Sequence, residues 1–295
     1  MLKYRIISGV TMGAILLTSI FVEGITGAAA FIILNSIFLA GGLKEFFTMT
    51  EKIGLKGFTK MTIAIGLLSF YFVAIPAVCG LNFFTSLNIP VNELLIIIFI
   101  IIGFLRVFNE DHKEGLARLF VSIAGLIYLG WTLTFIGKIY FIAGNEMTGR
   151  YLVLFLVAVT KASDIGAFFT GTLSHKFLPG GNHKIAPKLS PGKSWEGFVG
   201  GVAASIGIAI LLRSLIGDKM LLGGTEVISM WVAIILGASF ATLGFIGDVA
   251  ESALKRASEM KDSGSTIPGM GGVLDVVDSL TLVSPLFYCL LQAAL

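Results

Sequence analysis

Asp248, Glu251, Ser252 and Lys255 recur at three- and four-residue intervals where a long apolar run ends, in Gly247-Asp248-Val249-Ala250-Glu251-Ser252-Ala253-Leu254-Lys255-Arg256. At 3.6 residues per turn they share one face of a helix, which Glu259 and Asp262 continue. Carboxylates at membrane depth are costly and line polar cavities. A solvated helix end, ion-paired through Glu251 and Lys255, is the plainer alternative; it suits Asp248 least, because that residue follows the apolar helix directly.

A second group begins at Lys261-Asp262-Ser263-Gly264-Ser265-Thr266-Ile267-Pro268-Gly269-Met270-Gly271-Gly272 and ends in Asp275 and Asp278. A glycine-rich stretch frees backbone N–H groups to approach phosphate oxygens. The two carboxylates, three residues apart at the start of an apolar run, could be helix N-caps, and singly a cap is the simpler role for Asp278. Together with the glycines and the basic helix end they point to Mg2+ and phosphate, because Mg2+ is held by one or two carboxylates plus substrate phosphates.

A third group, Lys161-Ala162-Ser163-Asp164, lies inside an apolar segment; its Lys and Asp could pair with each other or serve a site. The fourth is His183-Lys184-Ile185-Ala186-Pro187-Lys188-Leu189-Ser190-Pro191-Gly192-Lys193-Ser194-Trp195-Glu196-Gly197. Lys184, Lys188 and Lys193 could neutralise a polyphosphate or a lipid phosphate, or simply contact acidic headgroups. The Trp195-Glu196 pair is expected to be buried. His112, His175 and His183 are too scattered for a metal site, and a surface role is expected for each.

The elements that must position these groups are membrane helices. The chain has 295 residues, 56% hydrophobic and 13% charged, with mean hydropathy +0.93; soluble domains carry about 25% charged residues. Lipid is the solvent that fits, and the expected fold is an all-α, polytopic membrane helix bundle. Nine spans are expected, at 6–22, 25–42, 61–80, 92–105, 118–137, 151–170, 197–216, 228–249 and 279–295; the fourth is short unless Ile89 to Val91 join it. With the N-terminus cytoplasmic and the C-terminus outside, the outer segments hold only Lys138, Arg150, Arg213 and Lys219. The other Lys and Arg residues lie inside, apart from Lys161 within a span. The first apolar run reads as an uncleaved helix rather than a cleaved leader. One membrane domain, 1–295, is expected, with N-terminal helices over 1–150 for lipid contact and dimerisation. A catalytic part over 151–295 carries cytoplasmic loops 171–196 and 250–278. A net charge of +3 gives no reason to expect nucleic acid as a partner. Cys79 and Cys289 are expected to be buried small hydrophobes with no metal or redox role.

The chain resembles the phosphatidate cytidylyltransferases, the CDP-diacylglycerol synthases. Their C-terminal signature is matched by Gly247-Asp248, Glu251, Ser252-x-x-Lys255-Arg256, Lys261-Asp262, Pro268-Gly269-Met270-Gly271-Gly272 and Asp275-Val276-Val277-Asp278. Ser163-Asp164-x-Gly166-Ala167 and the run His183 to Lys193 match as well. The resemblance is closest over about 160–280; the N-terminal half matches only as apolar spans. Met270 stands where the family has His and Val276 where it has Arg, so roles tied to those two residues do not carry over.

The resemblance implies that CTP and phosphatidate give CDP-diacylglycerol and pyrophosphate, in phospholipid biosynthesis. It further implies a divalent metal and suggests a homodimer; the termini suggest a bacterial inner membrane, the Lys and Arg placement a site facing the cytoplasm, and the carboxylates Mg2+ with a second cation left open. Asp248, Lys255, Arg256, Asp275 and Asp278 are then the expected catalytic residues, and Asp164, Asp248, Glu251, Asp275 and Asp278 the expected metal ligands. Lys184, Lys188, Ser190, Lys193, Ser252, Lys261, Gly271 and Gly272 would bind substrate. Lys255, Arg256 and Lys261 are assigned to the triphosphate; Lys184, Lys188 and Lys193 are left between the lipid phosphate and the leaving pyrophosphate. Acyl chains need a lateral opening between helices. A transporter with Lys161, Asp164 and Asp248 along its path stays open as a different class, and a related lipid kinase or a cytidylyltransferase acting on another lipid phosphate as a second enzyme reading.

Overall fold

The computed structural model describes residues 2–80, 91–109, 111–142, 146–179 and 181–294, so Ile89 lies outside the described residues. Helices dominate: α1 Leu2–Phe21, α2 Gly24–Lys52, α3 Thr59–Cys79, α4 Val91–Val107 and α5 His112–Gly125. A π-helical turn, Leu126–Trp131, carries α5 without a break into α6 Thr132–Tyr140. Then come α7 Glu146–Phe177, α8 Trp195–Ile216, α9 Met230–Ala257 and α10 Leu274–Ala293. Strands β1 Lys184–Ala186 and β2 Ser190–Ser194 form one antiparallel hairpin, and β3 Leu221–Leu222 and β4 Thr225–Glu226 another. These short strands qualify the all-helical expectation.

Among the described residues, seven helices are long and apolar enough to cross a bilayer, among them Gly24–Lys52, Met147–Phe177, Met230–Ala257 and Leu274–Ala293. Two expected spans fall on shorter stretches: the apolar part of α1, Ile7–Phe21, and the 17-residue α4. The expected polar loops are shorter than the sequence indicated. α7 runs on to Phe177, and the loop after α9 occupies only 258–273, because both helices continue into their charged ends.

By internal contacts the chain forms two compact units, Met1–Phe141 with Leu254–Val277, and Ile142–Ala253 with Asp278–Leu295. In the first, Phe31 stacks on Tyr140 with ring centres 3.8 Å apart, and the Tyr140 hydroxyl donates to the Ser19 carbonyl at 2.6 Å. Phe58, Val107 and Leu119 form one buried cluster, and Ile65, Phe99 and Leu126 another. In the second, the rings of Phe155, Phe240 and Phe287 pack against one another. α7 and α8 approach closely at small residues, and the buried Ser205 hydroxyl bonds the Val159 carbonyl between them at 3.0 Å. Small residues and buried interhelical hydrogen bonds are what hold helices together when lipid removes the hydrophobic drive.

Ile165, Phe168, Phe169, Val199 and Trp231 are exposed, as apolar faces turned to lipid tails must be. Cys79 and Cys289 are exposed too, which corrects the expectation of burial. Facing lipid satisfies a small apolar side chain as well as a protein core does, so hydrophobicity alone did not separate the two.

Candidate active site

The second unit gathers its charges where α9 meets α10. A Cβ on Gly247 would meet the Asp278 carbonyl oxygen at 2.5 Å, so glycine is required for the two backbones to approach this closely. The approach sets Asp248 and Glu251 of α9 beside Asp278 of α10, with ligand oxygens of all three within 4.8 Å of one another. Glu251 is 1% exposed and Asp278 6%. Asp278 lies beyond the first turn of α10 and accepts only from its neighbour Ser279 N, at 2.6 Å, among the hydrogen bonds seen. It is therefore not the N-cap that it could have been on sequence grounds.

Three carboxylates packed this tightly repel one another and lose hydration, so they persist only beside positive charge. Two lysines supply part of it. Lys193 of β2 reaches Asp248 at 2.9 Å and lies over the Phe245 ring. Lys161 of α7 pairs with Asp164 at 3.1 Å and donates to the Ser279 hydroxyl at 2.8 Å. Asp248, Glu251 and Asp278 present a set of carboxylate oxygens only. An all-oxygen carboxylate set is the donor chemistry that hard cations such as Mg2+ prefer. The residues fit that ion.

Beside the cluster lies a cavity of about 310 Å³. Asp164, Ser190, Lys193 and Asp248 give it a polar side, and Phe168, Phe198 and Phe245 an aromatic one. The hairpin presents Ser190 and Lys193 because β2 runs directly into α8, whose N-cap Ser194 accepts from Gly197 N at 3.1 Å. Ser252 lies within reach of Asp248, at 3.4 Å. Lys184 and Lys188 are exposed on the same hairpin, and the exposed His183 ring bonds Glu196 at 2.6 Å. Trp195 is 57% exposed, not buried as expected; as the first residue of α8 its side chain lies outside the bundle.

The first unit holds the other expected site residues in a different arrangement. Asp275 opens α10, and its Oδ2 accepts from Gly272 N at 2.7 Å and Ser263 N at 3.0 Å and lies 2.9 Å from the Ser263 hydroxyl, whose one proton it shares with Glu45. Its Oδ1 takes Lys255 at 2.7 Å, in a pair whose side chains are 12% and 14% exposed. Lys255 thus pairs with Asp275. Gly271 adopts φ +101°, and its N–H donates to the Ile267 carbonyl at 3.2 Å. Amides that the sequence offered for phosphate are engaged inside the loop. Arg256 and Lys261 are exposed, as is Met270, at 36%.

Glu45 of α2 was not singled out from the sequence. It is 6% exposed and carries the loop from below. Oε1 accepts from the Thr266 hydroxyl at 2.7 Å and Val273 N at 3.0 Å. Oε2 accepts from the Ser263 hydroxyl and Leu274 N, both at 2.9 Å. The available signal was a carboxylate placed among apolar residues in Gly41-Gly42-Leu43-Lys44-Glu45-Phe46-Phe47. It was masked by the adjoining Lys44, which made the pair resemble an ordinary helix end.

Residues 3–294 match the model of the cytidylyltransferase family, and the chain belongs to that family. It is similar to phosphatidate cytidylyltransferases of Haemophilus influenzae, 39% identical over 47% of this chain and 45% of that protein. The similar enzyme of Brucella suis is 34% identical over 67% of this chain and 65% of that protein. An uncharacterized protein of Escherichia coli, YnbB, is 34% identical over 68% of this chain and 67% of its own length. The matched stretches thus span between about half and two thirds of these relatives.

Proposed function

We propose that this chain transfers the cytidylyl group of CTP to phosphatidate, giving CDP-diacylglycerol and pyrophosphate in phospholipid biosynthesis. The observation that carries the reading is the group Asp248, Glu251 and Asp278, with oxygens within 4.8 Å, beside a cavity with one polar and one aromatic side. The family membership and the names of the Haemophilus and Brucella relatives support the choice of nucleotide and lipid.

A phosphate oxygen of phosphatidate attacks the α-phosphorus of CTP, and the bond from that phosphorus to the bridging oxygen of the β-phosphate breaks. The new P–O bond gives CDP-diacylglycerol, and the electron pair leaves with pyrophosphate. A phosphate monoester is already ionised near neutral pH, so no general base is needed. Catalysis is then positioning and charge neutralisation. Asp248, Glu251 and Asp278 would hold Mg2+, with Asp164 close enough through Lys161 to tune the charge. Bound there, the ion would neutralise phosphate oxygens and ease departure of pyrophosphate. Lys193 offers the lipid phosphate a cation on the polar side of the cavity, while the phenylalanines accept the glycerol and first methylenes. Lys255, Arg256 and Lys261 are assigned to the triphosphate.

Nine spans with a cytoplasmic N-terminus and an outer C-terminus complete the reading, in a bacterial inner membrane with the site facing the cytoplasm. Two chains form a homodimer, and a second cation can join the first.

The test uses purified protein in detergent with phosphatidate, labelled CTP and Mg2+. Pyrophosphate release that needs both the lipid and the metal, and that collapses in folded Asp248→Asn protein, is expected. No turnover with any nucleotide by intact wild-type protein would overturn the reading and favour the transporter class.

A further inference from the structure

We infer that Glu45 is a positioning residue for the reaction, acting through the loop 263–274 without touching substrate. The inference deepens the cytidylyl-transfer reading and, for its kinetic half, rests on it.

Four donors converge on one buried carboxylate: two hydroxyls, Ser263 and Thr266, and two amides, Val273 and Leu274. They come from both ends of the loop, so a single side chain ties its start to its finish. Hydrogen bonds to an ionised, buried acceptor are the strong kind, and a carboxylate is acceptor-only, matched to four donors and no acceptors.

The glycines fit the same carboxylate. A Cβ on Gly272 would overlap both the Glu45 carboxylate and the Ser263 hydroxyl, and one on Gly264 would stand 2.6 Å from Glu45 Oε1. Part of this glycine-rich loop is therefore glycine to make room for Glu45, not only to admit phosphate. From Glu45 the contacts run onward. The Ser263 hydroxyl also lies 2.9 Å from Asp275 Oδ2, and Asp275 Oδ1 holds Lys255 at 2.7 Å. Moving Glu45 thus moves the lysine assigned to the triphosphate.

The variants are Glu45→Gln, Gly272→Ala, and Gly272→Ala in a Glu45→Ala background. In Glu45→Gln an amide nitrogen replaces one oxygen and faces donors. Each hydrogen bond to a charged group is typically worth roughly a tenfold or larger factor, so kcat/KM for CTP falls by at least about tenfold. KM for phosphatidate stays within about twofold, since the loop serves the nucleotide. Hydrogen exchange of the Val273 and Leu274 amides speeds up, while the helices outside the loop exchange as in wild type. Gly272→Ala gives the same loss alone, and a smaller one in the Glu45→Ala background, because one of the two colliding groups is gone and the Ser263 hydroxyl can turn into the space it leaves.

Unchanged loop exchange in Glu45→Gln would overturn the inference, as would strictly additive losses in the pair. Loss of thermal stability with full kcat/KM for CTP in the remaining folded protein would reduce Glu45 to a structural role and overturn it too. The exchange readout needs no substrate, so it judges the loop contact even if wild-type protein proves inactive on CTP, an outcome that would instead sink the cytidylyl-transfer reading.

Discussion

The two units of this protein treat carboxylates in opposite ways. In the first, Glu45 and Asp275 meet hydroxyls, amides and a lysine, each oxygen matched to donors from the surrounding loop. In the second, Asp248, Glu251 and Asp278 also crowd one another, with Lys193 reaching Asp248 and Ser279 N donating to Asp278. A carboxylate met by hydrogen-bond donors is already satisfied and holds backbone in place. Carboxylates facing each other raise the local potential and call for a cation. The same residue type, on consecutive turns of one helix, thus meets loop donors at Asp275 and other carboxylates at Asp278.

The largest effect separating the two classes is expected for Asp248→Asn. Loss of one charge at the cluster should cost about 10²–10³-fold in kcat, the scale of removing an electrostatic contact to the reacting group, with the wild-type fold retained in gel filtration. Retention of more than half the activity would break the comparison. Next is Asp275→Asn, which strips Lys255 of its 2.7 Å partner. Breaking a buried pair costs about 3–5 kcal/mol, and this pair keeps slight exposure, so a shift toward the lower end is expected in chemical unfolding. A variant as stable as wild type would show that Asp275 does not hold the loop. Gly247→Ala should cost about 1–3 kcal/mol as an overpacked contact and weaken Mg2+ binding, since α9 must move off the Asp278 carbonyl. The smallest effect is expected for Lys193→Met. Removing the cation beside Asp248 tightens Mg2+ severalfold while lowering turnover, since Coulomb repulsion of the ion is relieved. Weaker Mg2+ binding in this variant would mean that Lys193 organises the carboxylate rather than competing for it.

Much of this arrangement was legible in the sequence. The i, i+3 and i+4 spacing put Asp248, Glu251 and Ser252 on one face, and apolar runs located the helix cores, though not the charged ends into which several helices continue. Three features were not. Asp275 and Asp278 share a spacing that serves caps and ligands alike; only the packing of Gly247 against Asp278 separates them. Glu45 lies more than 200 positions from the loop it holds, as its bond to Ser263 shows, and no local pattern encodes a contact at that range. Exposure of Cys79, Cys289 and Trp195 was missed because lipid-facing and core-facing positions have the same composition.

Cation binding itself tests the account most directly. Mn2+, a spectroscopic stand-in for Mg2+, would be titrated by electron paramagnetic resonance into purified wild type, Asp278→Asn, Asp275→Asn and Glu45→Gln, without substrates. The account predicts that Asp278→Asn loses the bound signal while Asp275→Asn and Glu45→Gln keep it at wild-type affinity. Binding that survives in Asp278→Asn but disappears in Asp275→Asn would place the ion in the other unit and contradict the division drawn between the two sets of carboxylates.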